Sequence, residues 1–92
     1  MNATPQQLLI KLYDFAVVHC QKNDLAKTNS AIQQLKDALR FDGSEEVKQF
    51  SLGLYKLYQY CQEEMRKGNF ENALKVLTEL RECWSDTLNN KI

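Results

Sequence analysis

One histidine and three cysteines are the side chains of this 92-residue chain best suited to metal or nucleophilic chemistry. His19 is the only imidazole, and Cys20, Cys61 and Cys83 lie far apart from one another. No two cysteines have the Cys-x-x-Cys spacing typical of zinc ligands. We therefore expect no metal site, three reduced structural thiols, and a His19 that is buried and hydrogen-bonded in a core.

Other patterns that accompany catalysis are also absent from the sequence. There is no Glu-x-x-His pair of the kind that holds metals in helical bundles, no Gly-rich phosphate loop, and no Cys-His arrangement that would activate a nucleophile. We accordingly expect no catalytic residues and no cofactor, and a function that consists of binding.

The charge balance and hydropathy narrow the class of partner. Twelve basic and twelve acidic side chains leave no net charge, which disfavours nucleic acid and anionic membranes as partners. No apolar run approaches the roughly 20 residues needed to cross a bilayer, and the first three residues contain no basic segment of a signal peptide. We expect a single cytoplasmic domain, residues 1–92, without membrane insertion.

Capping residues divide the chain into four expected helices. Thr4 is an expected N-cap, followed by Pro5 at the first helical position, and Gln7 forms a capping box with Thr4. Gly68 is a helix stop. Three further residues that favour N-caps precede periodic apolar segments: Asp24, Ser44 and Asn69. These signals predict helices at about residues 5–22, 24–41, 45–67 and 70–88. Because the connections are short, we expect an all-α, antiparallel four-helix bundle made of two helical hairpins.

The two predicted hairpins resemble each other at an offset of 45 residues. Leu12-Tyr13 falls on Leu57-Tyr58, and Ile32 falls on Leu77. We call this internal similarity the echo. It would result from an old duplication of one hairpin, or from two unrelated hairpins whose sequences satisfy the same packing requirements.

Each predicted helix has an apolar stripe at helical spacing, which we assign to the core. In the first helix the stripe consists of six residues: Leu8, Leu12, Phe15 and His19, joined by Leu9 and Ala16. The stripes of the other three helices are Leu25, Thr28, Ile32, Leu35 and Leu39; Val47, Phe50, Leu54, Leu57, Tyr58, Cys61 and Met65; and Phe70, Ala73, Leu74, Leu77, Leu80, Trp84 and Leu88.

The first and third helices carry more apolar residues than one core stripe uses. At about 100° per residue, Ile10, Tyr13 and Val17 share a second face of the first helix. Leu52 and Tyr55 lie off the core stripe of the third. Such residues are normal on protein surfaces and often cover helix flanks. Alternatively, they line a hydrophobic groove that receives a partner helix, a role that suits tyrosines because they bury a large area and tolerate water.

Three segments, in order, resemble the flagellar secretion chaperones of the FliS family. The segment 4–16 is similar to that family's opening helix, where Ser/Thr-Pro leads into Leu-rich turns and Leu-Tyr-Asp. The segment 76–84 resembles its closing helix, in which a Leu-x-Glu-Leu-Arg run ends on Trp. The segment 54–60 resembles its Leu-Tyr-x-Tyr stretch. The likeness extends over most of the chain, from about residue 4 to residue 88.

The resemblance implies a cytoplasmic chaperone that binds the C-terminal segment of flagellin and prevents its polymerisation before secretion. Other flagellar export proteins would be further partners. The resemblance also gives weight to Asp14, in Leu-Tyr-Asp, as a helix cap or client contact, and to Arg81 as a residue that bonds a carboxylate across the bundle. The expected partner-binding residues are Ile10, Tyr13, Asp14, Val17, Leu52 and Tyr55.

The chain departs from the family pattern at two points. Only three residues precede Thr4, where members carry an extra segment that packs over the groove. A shortened homologue, or an open surface that self-associates, would account for this. Phe15 also replaces the Gly that often follows Leu-Tyr-Asp. A general helical-hairpin adaptor and a homodimerising bundle are the alternative functions.

Overall fold

The computed structural model describes residues 5–89, with side chains for residues 7–86. Within this part of the chain the protein is helical and contains no strand. The helices are α1 (Pro5–Gln21), α2 (Leu25–Asp37), α3 (Glu45–Arg66) and α4 (Phe70–Asn89). The predicted all-α, four-helix architecture is thereby confirmed.

The four helices form a square bundle in which each helix packs against two neighbours. Helix α1 contacts α2 and α4, and α3 contacts the same two helices, while the diagonal pairs lie farther apart. Short connections make consecutive helices antiparallel. The result is two hairpins, α1–α2 and α3–α4, packed against each other.

The expected N-caps are confirmed at two of the four helices. Asp24 and Ser44 each accept a hydrogen bond from the backbone N–H three residues further on, at 3.1 Å and 3.3 Å. Asn69 instead directs its side-chain amide to Glu64, at 3.4 Å. The predicted cap at Thr4 lies outside the described residues.

The two hairpin turns have the same backbone structure. Asn23 follows α1 in the left-handed region (φ 58°), and Gly68 holds the equivalent position after α3 (φ 87°). The residue after each donates its N–H to the carbonyl five residues back, at 2.9 Å in the first turn and 2.8 Å in the second. Each left-handed residue itself donates three residues back, at 3.0 Å. These bonds form a Schellman motif, so the internal echo extends to the backbone.

Helix α2 is shorter than predicted, because it ends at Asp37 rather than near Phe41. Ala38 is its C-cap, and the N–H of Leu39 turns back to the carbonyl three residues earlier, at 3.1 Å. Leu39 then packs against the core, and Gly43 (φ 102°) changes the direction of the chain before α3. Residues predicted as the last helical turn therefore form the connection across the end of the bundle.

All four helices contribute to one core. Its largest buried side chains are Tyr13, Ile32, Leu35, Tyr58, Met65 and Leu77. The centres of the stripes predicted for α2, α3 and α4 are buried, but four of their flanking members are exposed: Leu25, Val47, Phe50 and Leu57. A bundle this short covers the middle of each helix better than its ends and flanks. The predicted core position Leu88 lies outside the described side chains.

Candidate functional site

The apolar residues of α1 are only partly where they were predicted to be. Ala16 is buried and Leu9 and Leu12 pack against the core, as predicted for the core stripe. Tyr13, expected on an open groove, is 0% exposed and lies in the core. Leu8 and Phe15, expected in the core, are 53% and 44% exposed. The predicted surface position of Tyr13 is therefore wrong, and so is the core assignment of Leu8 and Phe15.

A hydrogen-bonded cluster holds Tyr13 inside the bundle. Its hydroxyl is hydrogen-bonded to the hydroxyl of Tyr58, on the diagonally opposite helix, and accepts the indole N–H of Trp84 at 3.2 Å. Burial raises the pKa of both tyrosines, so each phenol stays neutral. Because a buried hydroxyl needs a partner, this cluster fixes which face of α1 turns inward. The two tyrosines are the pair matched by the internal echo.

On the side of α1 that faces an open cavity, Leu8 and Phe15 are exposed and Leu12, between them, is partly buried against the core. We call these three residues the α1 strip; Val18 is also exposed but does not line this cavity. The spacing of four and three residues places the strip on one face of the helix. Together with Lys11 and with Gln34 of α2, the strip lines the cavity, whose volume is about 380 Å³. An elongated apolar surface of this kind suits an amphipathic helix laid along α1.

The remaining predicted site residues of α1 lie toward α4. The carboxylate of Asp14 accepts a hydrogen bond from the Nε of Arg81, which confirms the expected bond from Arg81 across the bundle. This contact raises the pKa of Arg81. Val17 packs against the core, and Ile10, four residues before Asp14, is half-buried on the same side. A client contact at Ile10 or Asp14 stays a prediction.

The predicted site residues of α3 lie on the other side of the bundle, toward α2. The ammonium of Lys36 lies 4.8 Å from the ring centroid of Tyr55 and donates a hydrogen bond to Gln62 at 3.0 Å. Leu52 is exposed. Because α1 and α3 occupy diagonal corners, Tyr55 and Ile10 do not border one groove. A binding role for Leu52 and Tyr55 stays a prediction.

A second apolar cavity lies at the end of the bundle where α2 leads into α3. Its volume is about 270 Å³, and its walls include Leu39, Phe50 and Trp84. The rings of Phe50 and Trp84 meet edge to face, with centroids 6.1 Å apart. This cavity crosses the bundle end instead of following a helix, so it matches an extended helical partner less well than the α1 strip does.

The cysteines do not provide a nucleophile in the core. Cys20 and Cys61 are buried, and their thiols donate to the carbonyls of Phe70 and Ala73, at 3.5 Å and 3.8 Å. Burial raises the pKa of Cys20 and raises that of Cys61 to about 12. Both are therefore thiols at neutral pH, the unreactive form. Cys83 is exposed, contrary to the expectation of a buried structural thiol.

The two helix-end side chains next to the hairpin turns, His19 and Glu64, occupy equivalent positions. His19 is half-buried, and its Nδ1 has no hydrogen-bond partner among the described residues, so the expected hydrogen bond is not formed at that nitrogen. That atom lies 4.0 Å from a carboxylate oxygen of Asp24. Glu64 is buried and accepts the amide of Asn72 at 2.8 Å. This hydrogen bond lowers the pKa of Glu64, which makes it a structural carboxylate.

No protein-family model matches this chain, and comparison with curated proteins and with solved structures also finds no match.

Across residues 5–89, no three His, Cys, Asp or Glu side chains are grouped so that they could hold a metal ion. None of the described helices combines the length and apolar character required to cross a membrane. We take the α1 strip as the candidate site because its residues follow one helix and line an open cavity.

Proposed function

We propose that this protein is a cytoplasmic export chaperone that holds the C-terminal segment of flagellin before secretion. The observation that carries the proposal is the α1 strip, a partly exposed apolar face at helical spacing that lines an open cavity. The resemblance of segments 4–16, 54–60 and 76–84 to flagellar secretion chaperones supplies the identity of the client.

The proposed mechanism is folding of the client on the surface of the bundle. A client segment that is disordered when free becomes helical as its apolar face covers Leu8, Leu12 and Phe15. Full burial of an apolar side chain contributes about 1.5–3 kcal/mol, while ordering the segment costs about 2–5 kcal/mol or more. A client covered in this way cannot polymerise. No bond is made or broken, so the activity needs no catalytic residue.

Calorimetric titration with the C-terminal segment of the same organism's flagellin tests the proposal. The two variants to compare are Phe15→Asp and Tyr60→Asp. Tyr60 is the matched control because it holds the equivalent position in the second hairpin and is equally exposed, at 44%. We expect one-to-one binding by the unmodified chain, with a large negative heat-capacity change. Placing a charge at Phe15 should weaken binding by about tenfold or more, and the control should bind nearly as well as the unmodified chain.

Two outcomes would contradict the proposal in different ways. Equal weakening by both substitutions would show that the α1 strip is not the binding site. No binding at tens of micromolar by a chain that circular dichroism shows to be folded would remove flagellin as the client.

Self-association is the second candidate function, favoured by the exposed apolar residues Val47 and Phe50 at the bundle end. Both residues border the cavity at that end. Sedimentation velocity over a range of concentrations tests this candidate. A dimer that Phe50→Asp dissociates, and Phe15→Asp does not, would support it.

A further inference from the structure

The charged side chains near the α1 strip include two lysines and two aspartates, and both aspartates accept hydrogen bonds from their own helix. Asp37, near the end of α2, accepts the side-chain amide of Gln33 at 3.2 Å. Lys11 lines the cavity beside the strip, and Lys27 lies seven residues before Gln34, on the same face of α2. Both lysines are exposed, and neither forms an ion pair within the described part of the chain. Asp24, at the turn end of this surface, is engaged as the N-cap of α2. A partner on the strip therefore meets ammonium groups that have no carboxylate of their own.

An excess of basic side chains belongs to the first hairpin and not to the whole protein. Residues 5–41 contain five basic and three acidic side chains, whereas residues 44–89 contain six basic and eight acidic ones. At the matching surface of the second hairpin, Asn72 replaces Lys27 and Glu79 replaces Gln34. The chain as a whole has no net charge, so the excess on the first hairpin is local.

We propose that the α1 strip accepts an amphipathic helix whose apolar face is flanked by aspartate or glutamate side chains. The apolar face would cover the strip, and the flanking carboxylates would meet Lys11 and Lys27. Complementary charges at the rim of an interface select the partner and its orientation more than they add affinity. The inference rests on the proposed function for the location of the site, but it does not require that the helix come from flagellin.

A second copy of this chain that presents α1 or α4 is a poorer occupant. Strip against strip would bring the Lys11 ammonium groups of two copies together, which is unfavourable. The outer side of α4 is acidic, but none of its described residues is a large exposed hydrophobic side chain. Neither of these two arrangements offers an apolar face and carboxylates together. The outer side of α3 does, with Val47 and Phe50 near Glu45 and Glu46. A dimer in sedimentation velocity that Phe15→Asp and Phe50→Asp each dissociate would therefore make a second copy the occupant and overturn the inference of a separate partner.

Two synthetic helical peptides with the same apolar residues test the inference. One carries glutamates at the positions that flank the apolar face, and the other carries lysines there. We expect the glutamate peptide to bind the full chain about fivefold more tightly in low salt, with the difference shrinking in high salt, since exposed charges are screened. Fluorescence anisotropy measures both affinities.

Charge-reversed chains sharpen the same experiment. The double change Lys11→Glu with Lys27→Glu should reverse the preference between the peptides. Lys56→Glu is the matched control, because Lys56 holds the position of Lys11 in the second hairpin, and it should leave the preference unchanged. If circular dichroism shows that the double variant does not fold, the inference is still tested by the affinities of the two peptides for the unmodified chain.

Equal affinity for the two peptides, or a preference for the lysine peptide, would overturn the inference. Failure of both peptides to bind would overturn it as well, and would remove the strip as a site for helices. Binding of the glutamate peptide without binding of flagellin would support the inference while rejecting the proposed client.

Discussion

The two hairpins share one backbone plan and differ in what they present to solvent. Both turns are Schellman motifs, and the equivalent core residues Ile32 and Leu77 are both fully buried. On the outside, the first hairpin has Leu8 where the second has Gly53. Packing constrains the shared positions, whereas surface positions are free to differ. The outer sides of the two hairpins are therefore where their binding properties should differ.

The hairpins meet along two helix–helix contacts, which we call seams: α1 with α4, and α3 with α2. The polar side chains at the two seams differ, although the backbone arrangement is alike. Where α1 meets α4, Asp14 and Arg81 form an ion pair. At the equivalent positions where α3 meets α2, the residues are Gln59 and Lys36, and Lys36 bonds to Gln62 instead. One seam is joined by opposite charges and the other by a charge and an amide, although the helices are arranged alike.

The largest expected effect tests whether the two hairpins share one core. Ile32→Ala and Leu77→Ala remove equivalent, fully buried side chains. Each should lower the free energy of unfolding by about 2–5 kcal/mol, because the cavity left behind collapses only in part. Urea denaturation measures both. A loss below about 1 kcal/mol for one of them would mean that its hairpin contributes little to the common core.

The tyrosine cluster should respond unequally to removal of its two hydroxyls. Tyr13→Phe leaves both Trp84 and Tyr58 without their partner, so it should cost about 1–3 kcal/mol. Tyr58→Phe removes one bond and should cost about 0.5–1.5 kcal/mol. Equal losses in urea denaturation would show that the indole contact contributes nothing.

The equivalence of the two hairpin turns can be tested by giving the second turn the residue of the first. Gly68→Ala should cost about 1–2 kcal/mol, because φ is 87° there and an L-residue is strained. No atom lies within 4 Å of the added Cβ among the described residues, so the cost is conformational. Gly68→Asn copies the residue of the first turn and should cost less, since Asn tolerates this region. Thermal unfolding of the two variants compares them, and an equal loss of stability would contradict the equivalence of the turns.

Local signals were sufficient to predict most of the architecture. The caps at Asp24 and Ser44 and the stop at Gly68 depend on residues close in sequence, so the helix boundaries near them were right. The end of α2 was placed too late because the path of the connection across the bundle depends on tertiary contacts. The packing of Leu39 against the core is one of those contacts.

The rotation of α1 depends on contacts that no local pattern reveals. Both of its faces are apolar, so periodicity alone does not say which one is buried. The hydroxyl partners of Tyr13 are Tyr58 and Trp84, 45 and 71 residues away. The echo contained the missing signal, because Tyr58 was assigned to the core and its equivalent is Tyr13. The match between Tyr13 and Tyr58 predicts a buried Tyr13, and a helix rotated in that way exposes Leu8 and Phe15.

The carboxylate of Glu64, near the end of α3, should stabilise the protein less in acid. The hydrogen bond from the Asn72 amide lowers the pKa of Glu64 and is a larger effect than burial, which raises it; Asn69 and Lys67 lower the pKa further. Its stabilisation is therefore complete above the unfolded pKa, about 4.3, and is lost as the pH falls through the lower folded value. Glu64→Gln should remove this loss. Urea midpoints from about pH 6 to pH 3 should converge for the variant and the unmodified chain, and parallel curves would contradict this.

The smallest expected effect concerns the two seams. The Asp14–Arg81 pair is partly exposed, with 48% and 36% of the two side chains accessible, so water and salt screen it. Asp14→Gln with Arg81→Lys converts this seam into a copy of the other. A double-mutant cycle should give a coupling of only about 0.2–1 kcal/mol, decreasing with salt. A coupling well above that range would mean that the ion pair, as well as the tyrosine cluster, fixes the rotation of α1. In that case the double change should also make Phe15 less accessible and weaken helix binding at the α1 strip.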